Sequence, residues 1–348
     1  MVAAHSNGEL SPRHHALLLA AVQEFITTAE PVGSQQLAAR HHVGVRAAMV
    51  RNLMGDLEEA GFLTQPHTSA GRIPTDLAFR YYVDHLTPAP PIGFHDRARI
   101  ELHYSAPTVD FNAVVRDTSR LLALMTGQAA LVTAPRLASV MLERVQFLRL
   151  RDFEVMAVFV PISGGVHSRH VQTARNHQQD ELDRMAGYLN DFLRGHTLDH
   201  AREWIAQRLR DDQAAYDSFV RTALTLGGAA ARGGSTSEVY VEGGSKAVEQ
   251  PEFTDPGRLR ELLRALDDKS ALLNLLERSL THDGTMVSIG SENFDARLSA
   301  FAVVASAYAS GQTPLGSLAV VGPVRMDYDR VIPLVAYTAR ALSRVLDY

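Results

Sequence analysis

The sequence predicts a multidomain α+β protein: an N-terminal winged helix-turn-helix, then an α+β domain that a mainly helical unit interrupts. Three observations predict it. Apolar residues repeat at helical spacing three times before Gly61, and a hairpin-sized run rich in turn formers follows directly. A stiff, polyproline-prone break at Pro88-Ala89-Pro90-Pro91 closes that unit. Beyond the break come a helix, strands, helices, strands and a terminal helix, the order of an α+β domain carrying an insertion.

The first helix starts at Ser11-Pro12, an N-cap followed by proline at the first helical position. Leu17, Leu18, Ala21, Val22, Phe25 and Ile26 make its buried face. Glu30-Pro31-Val32-Gly33 ends it, since proline cannot continue a helix and glycine permits a turn. Ser34 is expected to cap a short second helix, Gln35 to about His41, and His42-Val43-Gly44 to form the tight turn of a helix-turn-helix. The third helix is expected over Val45–Ala60, with Val50, Leu53, Met54 and Leu57 facing the core, Gly61 as its C′ residue and Phe62 folding back. Its opposite face carries Ala48, Asn52 and Gly55, flanked by Met49 and Arg51. That thin face suits a major groove, although the same pattern also describes a helix that is merely solvated.

Leu63-Thr64-Gln65 reads as a strand, Pro66–Gly71 as a loop and Arg72-Ile73-Pro74 as the return, a wing with Arg72 placed to meet phosphate or the minor groove. Thr75 is expected to cap a helix over Asp76–His85, with Phe79, Tyr82, Val83 and Leu86 as its apolar stripe. Residues 1–87 hold six Arg against eight acids, yet 40–55 and 60–75 contain no Asp or Glu. Those two stretches hold Arg40, His41, His42, Arg46, Arg51, His67 and Arg72, so the expected DNA face is cationic while its back is not. Counterion release depends on that local footprint, not on the total.

Composition narrows the function. At 348 residues the chain can build two or three cores, and 46% hydrophobic with 21% charged residues is an ordinary globular mix. With no Cys, a disulfide framework, a thiolate metal site and a Cys nucleophile are excluded. Met1–Glu9 has neither a basic nor an apolar leader segment, and the longest apolar stretches, Ala16–Val22 and Ala129–Val132, are far too short to span a membrane. A cytoplasmic protein with no membrane partner is expected. The net charge of −5 argues against a generally basic nucleic-acid coat. Lys246 and Lys269 are the only lysines, but a GC-rich coding bias explains the arginine excess as well as phosphate recognition does.

Several runs together resemble the HrcA family of heat-inducible transcription repressors. They are Glu30-Pro31-Val32-Gly33-Ser34, the segment from Arg51-Asn52-Leu53-Met54 to Gly61-Phe62-Leu63, and the wing run from Gln65 to Asp76. The resemblance resumes at Val239–Gly243, Gln250–Phe253, Ile289-Gly290-Ser291-Glu292-Asn293 and Val321–Tyr328, and so covers nearly the whole chain in order. It implies a homodimeric repressor of chaperone operons that binds double-stranded DNA at an inverted-repeat operator. It also implies a GroEL-type chaperonin as the partner that keeps the repressor competent. The fold implied has a winged helix, a GAF-like domain and a dimerisation domain inserted in the latter. On this basis the domains are expected at 1–90 (DNA-binding), 91–174 and 251–348 (GAF-like), and 175–250 (inserted). The residues expected to meet DNA are Ser34, Arg46, Ala48, Met49, Arg51, Asn52, His67, Thr68, Ser69, Gly71 and Arg72. Arg46 stands where the family usually has a Ser cap, Met49 where it has Thr, and Val324 where Thr is common; the first two bear on which bases are read.

Further elements are expected at Phe111–Met125 (helix), at Ala130–Thr133, Val145–Leu150, Val155–Val160 and Val166–Thr173 (strands), and at Asp180–Leu193, Leu198–Leu209 and Ala214–Leu226 (helices). Ser163-Gly164-Gly165 reads as a hairpin turn, and Gly227–Ser235 as a glycine-rich loop before the strand Val239–Val241. A helix over 257–280, strands near Met286–Ile289, Leu298–Ala307 and Leu315–Val321, and a helix from Tyr328 to Leu346 complete the chain.

Motifs that carry chemistry are weak here. His196 and His200 have i, i+4 spacing with Asp199 beside them, but no third ligand and no HExxH accompany them. His167 and His170 point to opposite faces of a strand. The pairs Gly227-Gly228, Gly233-Gly234 and Gly243-Gly244 match neither a P-loop nor GxGxxG, and there is no GxSxG elbow. Asp327-Tyr328-Asp329 is expected to serve the N-terminus of the last helix. No catalytic residue, metal or cofactor is expected, and the protein is read as not an enzyme. Two alternatives are a regulator gated by a metabolite in its GAF-like domain and an enzyme with a DNA-binding appendage.

Overall fold

A computed structural model of the chain describes residues 10–40, 46–67, 70–86, 91–105, 111–134, 141–162, 166–211, 218–231, 238–248, 250–293, 295–311 and 313–346. The expected turn at 42–44, the centre of the proline break, the hairpin turn at 163–165, Gly233-Gly234, Thr68 and Ser69 lie outside the described residues.

Helices α1 (Pro12–Thr28), α2 (Ser34–Arg40) and α3 (Ala47–Glu59) come first, then strands β1 (Leu63–Thr64) and β2 (Ile73–Pro74) and helix α4 (Asp76–Asp84). The Ser11 side chain caps α1, and α1 ends with Ala29 in the left-handed region, its N–H on Phe25 O. Gly61, at φ +82°, ends α3 as expected, and the Phe62 N–H returns to Leu57 O at 2.9 Å. Two expected caps are placed differently. Ser34 is the first helical residue of α2, with Leu37 N–H donating to Gly33 O, so Gly33 holds the cap position. The Thr75 hydroxyl donates to Gly61 O at 2.7 Å, tying α4 to the end of α3 rather than capping its own helix.

Helices α5 (Phe94–His103) and α6 (Phe111–Thr126) lead into strand β3 (Ala129–Thr133). Strands β4 (Leu142–Arg151), β5 (Glu154–Pro161) and β6 (His167–Gln172) and helices α7 (Gln179–Leu193), α8 (Leu198–Asp211) and α9 (Ser218–Ala231) follow. The rest is β7 (Val239–Glu242), α10 (Gly244–Ala247), α11 (Pro256–Asp267), α12 (Lys269–Ser279), β8 (Thr285–Ile289), β9 (Phe301–Ser310), β10 (Thr313–Pro323) and α13 (Tyr328–Leu346). Helix α5 is not expected from the pattern. The helix expected over 257–280 is two helices, because Asp268 caps the second through the N–H groups of Ser270 and Ala271.

Among the described residues the strands form three antiparallel sheets, β1-β2, β7-β3-β10-β9-β8 and β4-β5-β6. The five-stranded sheet is covered on both faces. Ala130, Val132, Ala302, Val304, Leu318 and Val320 pack on one side with α6, α13 and the first four helices. Ala129, Leu131, Val303, Ala305, Ala319 and Val321 pack on the other with α11 and α12. Double burial is why these strands read as continuous apolar runs rather than as an alternation.

Strands β4–β6 pack against α7–α9 in a core of their own, which runs from Leu142 to Ala231. The sequence pattern groups those strands with the sheet domain before them, whereas here they share a core with the three helices after them. Gly227 and Gly228 are helical, not loop: a Cβ on Gly227 would lie 2.9 Å from Leu189 Cδ1, so its hydrogen lets α9 approach α7 closely.

Candidate nucleic-acid interface

On α3, Val50, Leu53, Met54 and Leu57 are buried and share a core with Leu17, Leu18 and Leu37 of α1 and α2. Burying such side chains is worth about 1.5–3 kcal/mol each. That fixes which way the helix faces, independently of anything on its other side. The other side presents Arg46, Ala48, Met49, Arg51 and Asn52, all exposed, with Gly55 half-buried. Arg46 precedes the helix without a side-chain cap, and its carbonyl accepts from Met49 and Val50 N–H at 2.9 and 3.1 Å. Its guanidinium is therefore not spent on the helix start.

The supporting charges are paired behind this face. Buried Glu24 on α1 accepts from Gln36 Nε2 and Arg40 Nη1 of α2, both at 2.6 Å. His14 on α1 bonds Asp56 on α3 at 3.1 Å. Arg40, expected on the cationic face, thus shares its charge with a carboxylate.

The hairpin lies beside α3. Gln65 Nε2 donates to Ala70 O at 2.9 Å, Ala70 N–H donates to His67 O at 2.9 Å, and His67 is exposed. The returning strand makes a further pairing not foreseen from sequence: Arg72 and Val32 exchange both backbone hydrogen bonds at 2.9 Å, an isolated bridge that pins the hairpin to the α1–α2 turn. This explains Gly71, where a Cβ would stand 2.6 Å from the carbonyl oxygens of Pro31 and Val32.

Arg72 is placed differently from the rest of the expected contact set. Its Nε donates to Glu58 Oε2 on α3 at 2.8 Å, its side chain is 17% exposed, and its guanidinium passes beneath Gly55. It ties the hairpin to α3 rather than standing free at the rim. So the structure brings Arg46, Ala48, Met49, Arg51 and Asn52 onto one exposed helix face, with His67 on the adjoining hairpin. Ser34 is half-buried at the start of α2, and Gly71 and Arg72 form the joint behind.

Other candidate chemistry resolves as packing. His196 and His200 stack with ring centroids 4.7 Å apart beside Phe192 and Trp204. Among the described residues no three His, Asp or Glu converge as metal ligands, and no helix is long and apolar enough to cross a membrane. Asp329 lies in the first turn of α13, where it also accepts from the Tyr82 hydroxyl at 2.6 Å; burial and that bond raise the Tyr82 phenol.

Fold and surface together define a mixed α+β protein that presents one helix face, free of acids from Arg46 to Gly55, beside a hairpin. The family described as HrcA protein C terminal domain matches residues 112–332. A protein named heat-inducible transcription repressor HrcA from Geobacter sulfurreducens is 38% identical over 339 residues, covering 97% of this chain and 99% of that one. Another of that name, from Anaeromyxobacter sp. (strain K), is 40% identical over 348 residues, covering 98% of each. A solved structure described as a hypothetical protein at 2.2 Å resolution is similar over 97% of this chain and 99% of its own, with 26% identity and a TM-score of 0.65. The chain belongs to the HrcA family.

Proposed function

We propose that this chain is a cytoplasmic, dimeric repressor of chaperone operons that binds an inverted-repeat operator through a winged helix-turn-helix formed by α1–α4. The observation that carries the reading is the exposed face of α3, Arg46, Ala48, Met49, Arg51 and Asn52, in a chain of this family. Its small residues allow close approach to base edges, and Arg and Asn are the side chains that read guanine and adenine bidentately. The wing contributes His67, Thr68 and Ser69, while Gly71 and Arg72 hold it in place.

The five-stranded sheet with its helices is read as the GAF-like domain, and 141–231 as the inserted dimerisation domain. The outer face of β4–β5 supports that second role: Leu148 is 42% exposed there, beside the half-buried Met156 and Val158. A two-fold dimer matches a palindromic operator with helically phased half-sites. A GroEL-type chaperonin is the proposed modulator, as family membership implies.

A gel shift with an inverted-repeat chaperone-promoter fragment, with and without chaperonin, tests the reading. Asn52→Ala or Arg51→Ala is expected to relax base choice by about 1–3 kcal/mol. Unchanged operator affinity in both variants would remove α3 from the interface. A second reading, a ligand-gated regulator, is favoured by a cleft of about 780 Å³ between α12 and β8, lined by Asn274, Arg278, Glu292 and Asn293. A metabolite panel read by melting temperature separates the two, since a true ligand raises it by mass action.

A further inference from the structure

The first four helices are not a bead on a linker. They share one continuous core with the sheet and α13, in which the Phe79 ring lies 6.3 Å from Phe25 and 6.2 Å from Tyr328. Around that core stands a ring of polar contacts. Arg80 on α4 forks onto Glu292, with Nε to Oε1 at 2.7 Å and Nη2 to Oε2, and Nη2 also donates to Val287 O at 2.7 Å. Asp76 Oδ2 accepts from Ser291 N–H at 3.0 Å. Next to it Gly290 has φ +54° and leaves no room for a Cβ against the Asp76 carboxylate. Tyr82 donates to Asp329 at 2.6 Å. Arg325, 12% exposed at its side chain, donates Nη1 to Ile26 O in α1 at 3.0 Å while its fork is held by Glu252 and Gln250.

Two separate runs build this ring from the body side, Val287–Glu292 and Arg325–Asp329, with Gln250 and Glu252 holding Arg325 in place. They lie 207 to 299 positions from their partners in α1 and α4, and none of these hydrogen bonds involves the exposed face of α3. Charge agrees with geometry. The Glu292 bond raises the Arg80 guanidinium above its ordinary value; burial pushes Glu292 upward, but Arg80 and the Ile289 N–H outweigh it and hold it ionised.

From this we infer that Arg80, Tyr82, Glu292 and Arg325 are positioning residues for DNA recognition: they set the angle of α3 relative to the body, and hence the half-site spacing that a dimer accepts. The inference rests on the paired-operator reading above. A dimer whose reading helices are rigidly mounted should bind one spacing and reject an insertion of half a helical turn, which puts the second half-site on the opposite side of the duplex. A dimer whose reading units swing should not.

The test is a series of operators with the half-sites moved apart in single base-pair steps, together with a single half-site. Full-length wild type is compared with Glu292→Gln, Arg325→Gln, Tyr82→Phe and the charge exchange Arg80→Glu/Glu292→Arg. For the wild type, half-turn insertion is expected to cost about tenfold or more in affinity, a difference of about 1.4 kcal/mol. In the first three variants that penalty should shrink to about twofold while single half-site affinity stays within about twofold, and the charge exchange should recover part of it, since the swapped pair keeps its attraction but loses the bonds to Val287 O and Ile289 N–H. Tyr82→Phe removes one hydroxyl and no packing, so it reports even where a charge variant fails to fold. Undiminished spacing selectivity in folded variants would overturn the inference and leave the paired-operator reading intact. A wild type indifferent to spacing would overturn that reading itself.

Discussion

At the scale of single residues, Arg72 shows how burial changes a role. A guanidinium on a phosphate contributes counterion release, and losing it lowers the slope of log affinity against log salt by about one. A guanidinium held by Glu58 at 17% exposure cannot contribute that in the free chain. Arg72→Ala is therefore expected to weaken operator binding by loosening the wing, with the salt slope unchanged. Arg72→Lys should fail to rescue, because lysine has no donor at the Nε position that holds Glu58 and carries its charge at the end of a flexible stem. A slope reduced by one in a salt titration would put Arg72 on the backbone after all. Gly71 belongs to the same joint, since it must admit two carbonyl oxygens at 2.6 Å from where a Cβ would be. By contrast Gly227 faces a flexible leucine methyl, which can yield.

At the scale of elements, the seam between α1 and α4 is an aromatic and imidazole stack. His15 Nδ1 meets the Tyr81 hydroxyl at 2.9 Å, and the Tyr81 and His85 rings stack at 3.9 Å. Burial, reinforced by neighbouring His85, lowers the His15 imidazole below its ordinary 6.5. Burial also lowers His103 on α5 and His167 on β6. A base whose folded value is lowered binds fewer protons folded than unfolded. Its contribution is thus fully present above pH 6.5 and is lost as pH falls through the folded value. The melting temperature is expected to fall between pH 7.5 and 5.5, ahead of the carboxylate losses that follow at lower pH, where Asp295 is held down to about 2 by Arg297. A flat profile over that interval would show that these three imidazoles titrate as in the unfolded chain.

At the scale of the whole molecule, the division into cores does not follow the order of elements. The first four helices share the core of the sheet, while residues 142–231 keep a core of their own. Scanning calorimetry is expected to show the inserted unit as a transition separable from a joint transition of the first four helices and the sheet. Hydrogen exchange on the full-length chain provides a second check: amides of α1 and α13 should share one opening free energy, and those of β5 and α7 another. One cooperative transition for the whole chain would contradict two independent cores.

Much of the local structure is legible because it is written in local chemistry. The stripe of α3, the Gly61 terminus, the two hairpin strands and the span of α13 follow from spacing and capping alone. The same is true of the exposed residues on α3, which are the positions left over once the core stripe is assigned. The break at Asp268, not expected from the pattern, also has a local signal, an Asp able to cap. What the sequence cannot decide is what distant segments do to each other. Arg72 reads as a rim cation because its partnership with Glu58 depends on how the hairpin folds over α3. Strands 142–172 read as part of the preceding domain because the choice of core is made by packing, not by pattern. The runs Ile289–Asn293 and Val321–Tyr328 are recognisable as family signatures but not explicable, since their partners lie in the first four helices. By itself, then, the sequence determined most of the elements and the outward face of α3, consequences of periodicity within a few turns, while its longer motifs carried the resemblance to the family. Tertiary structure alone decided which cations the exposed face of α3 keeps, which strands share a core and how the first four helices are mounted, because those depend on side chains meeting across long stretches of chain.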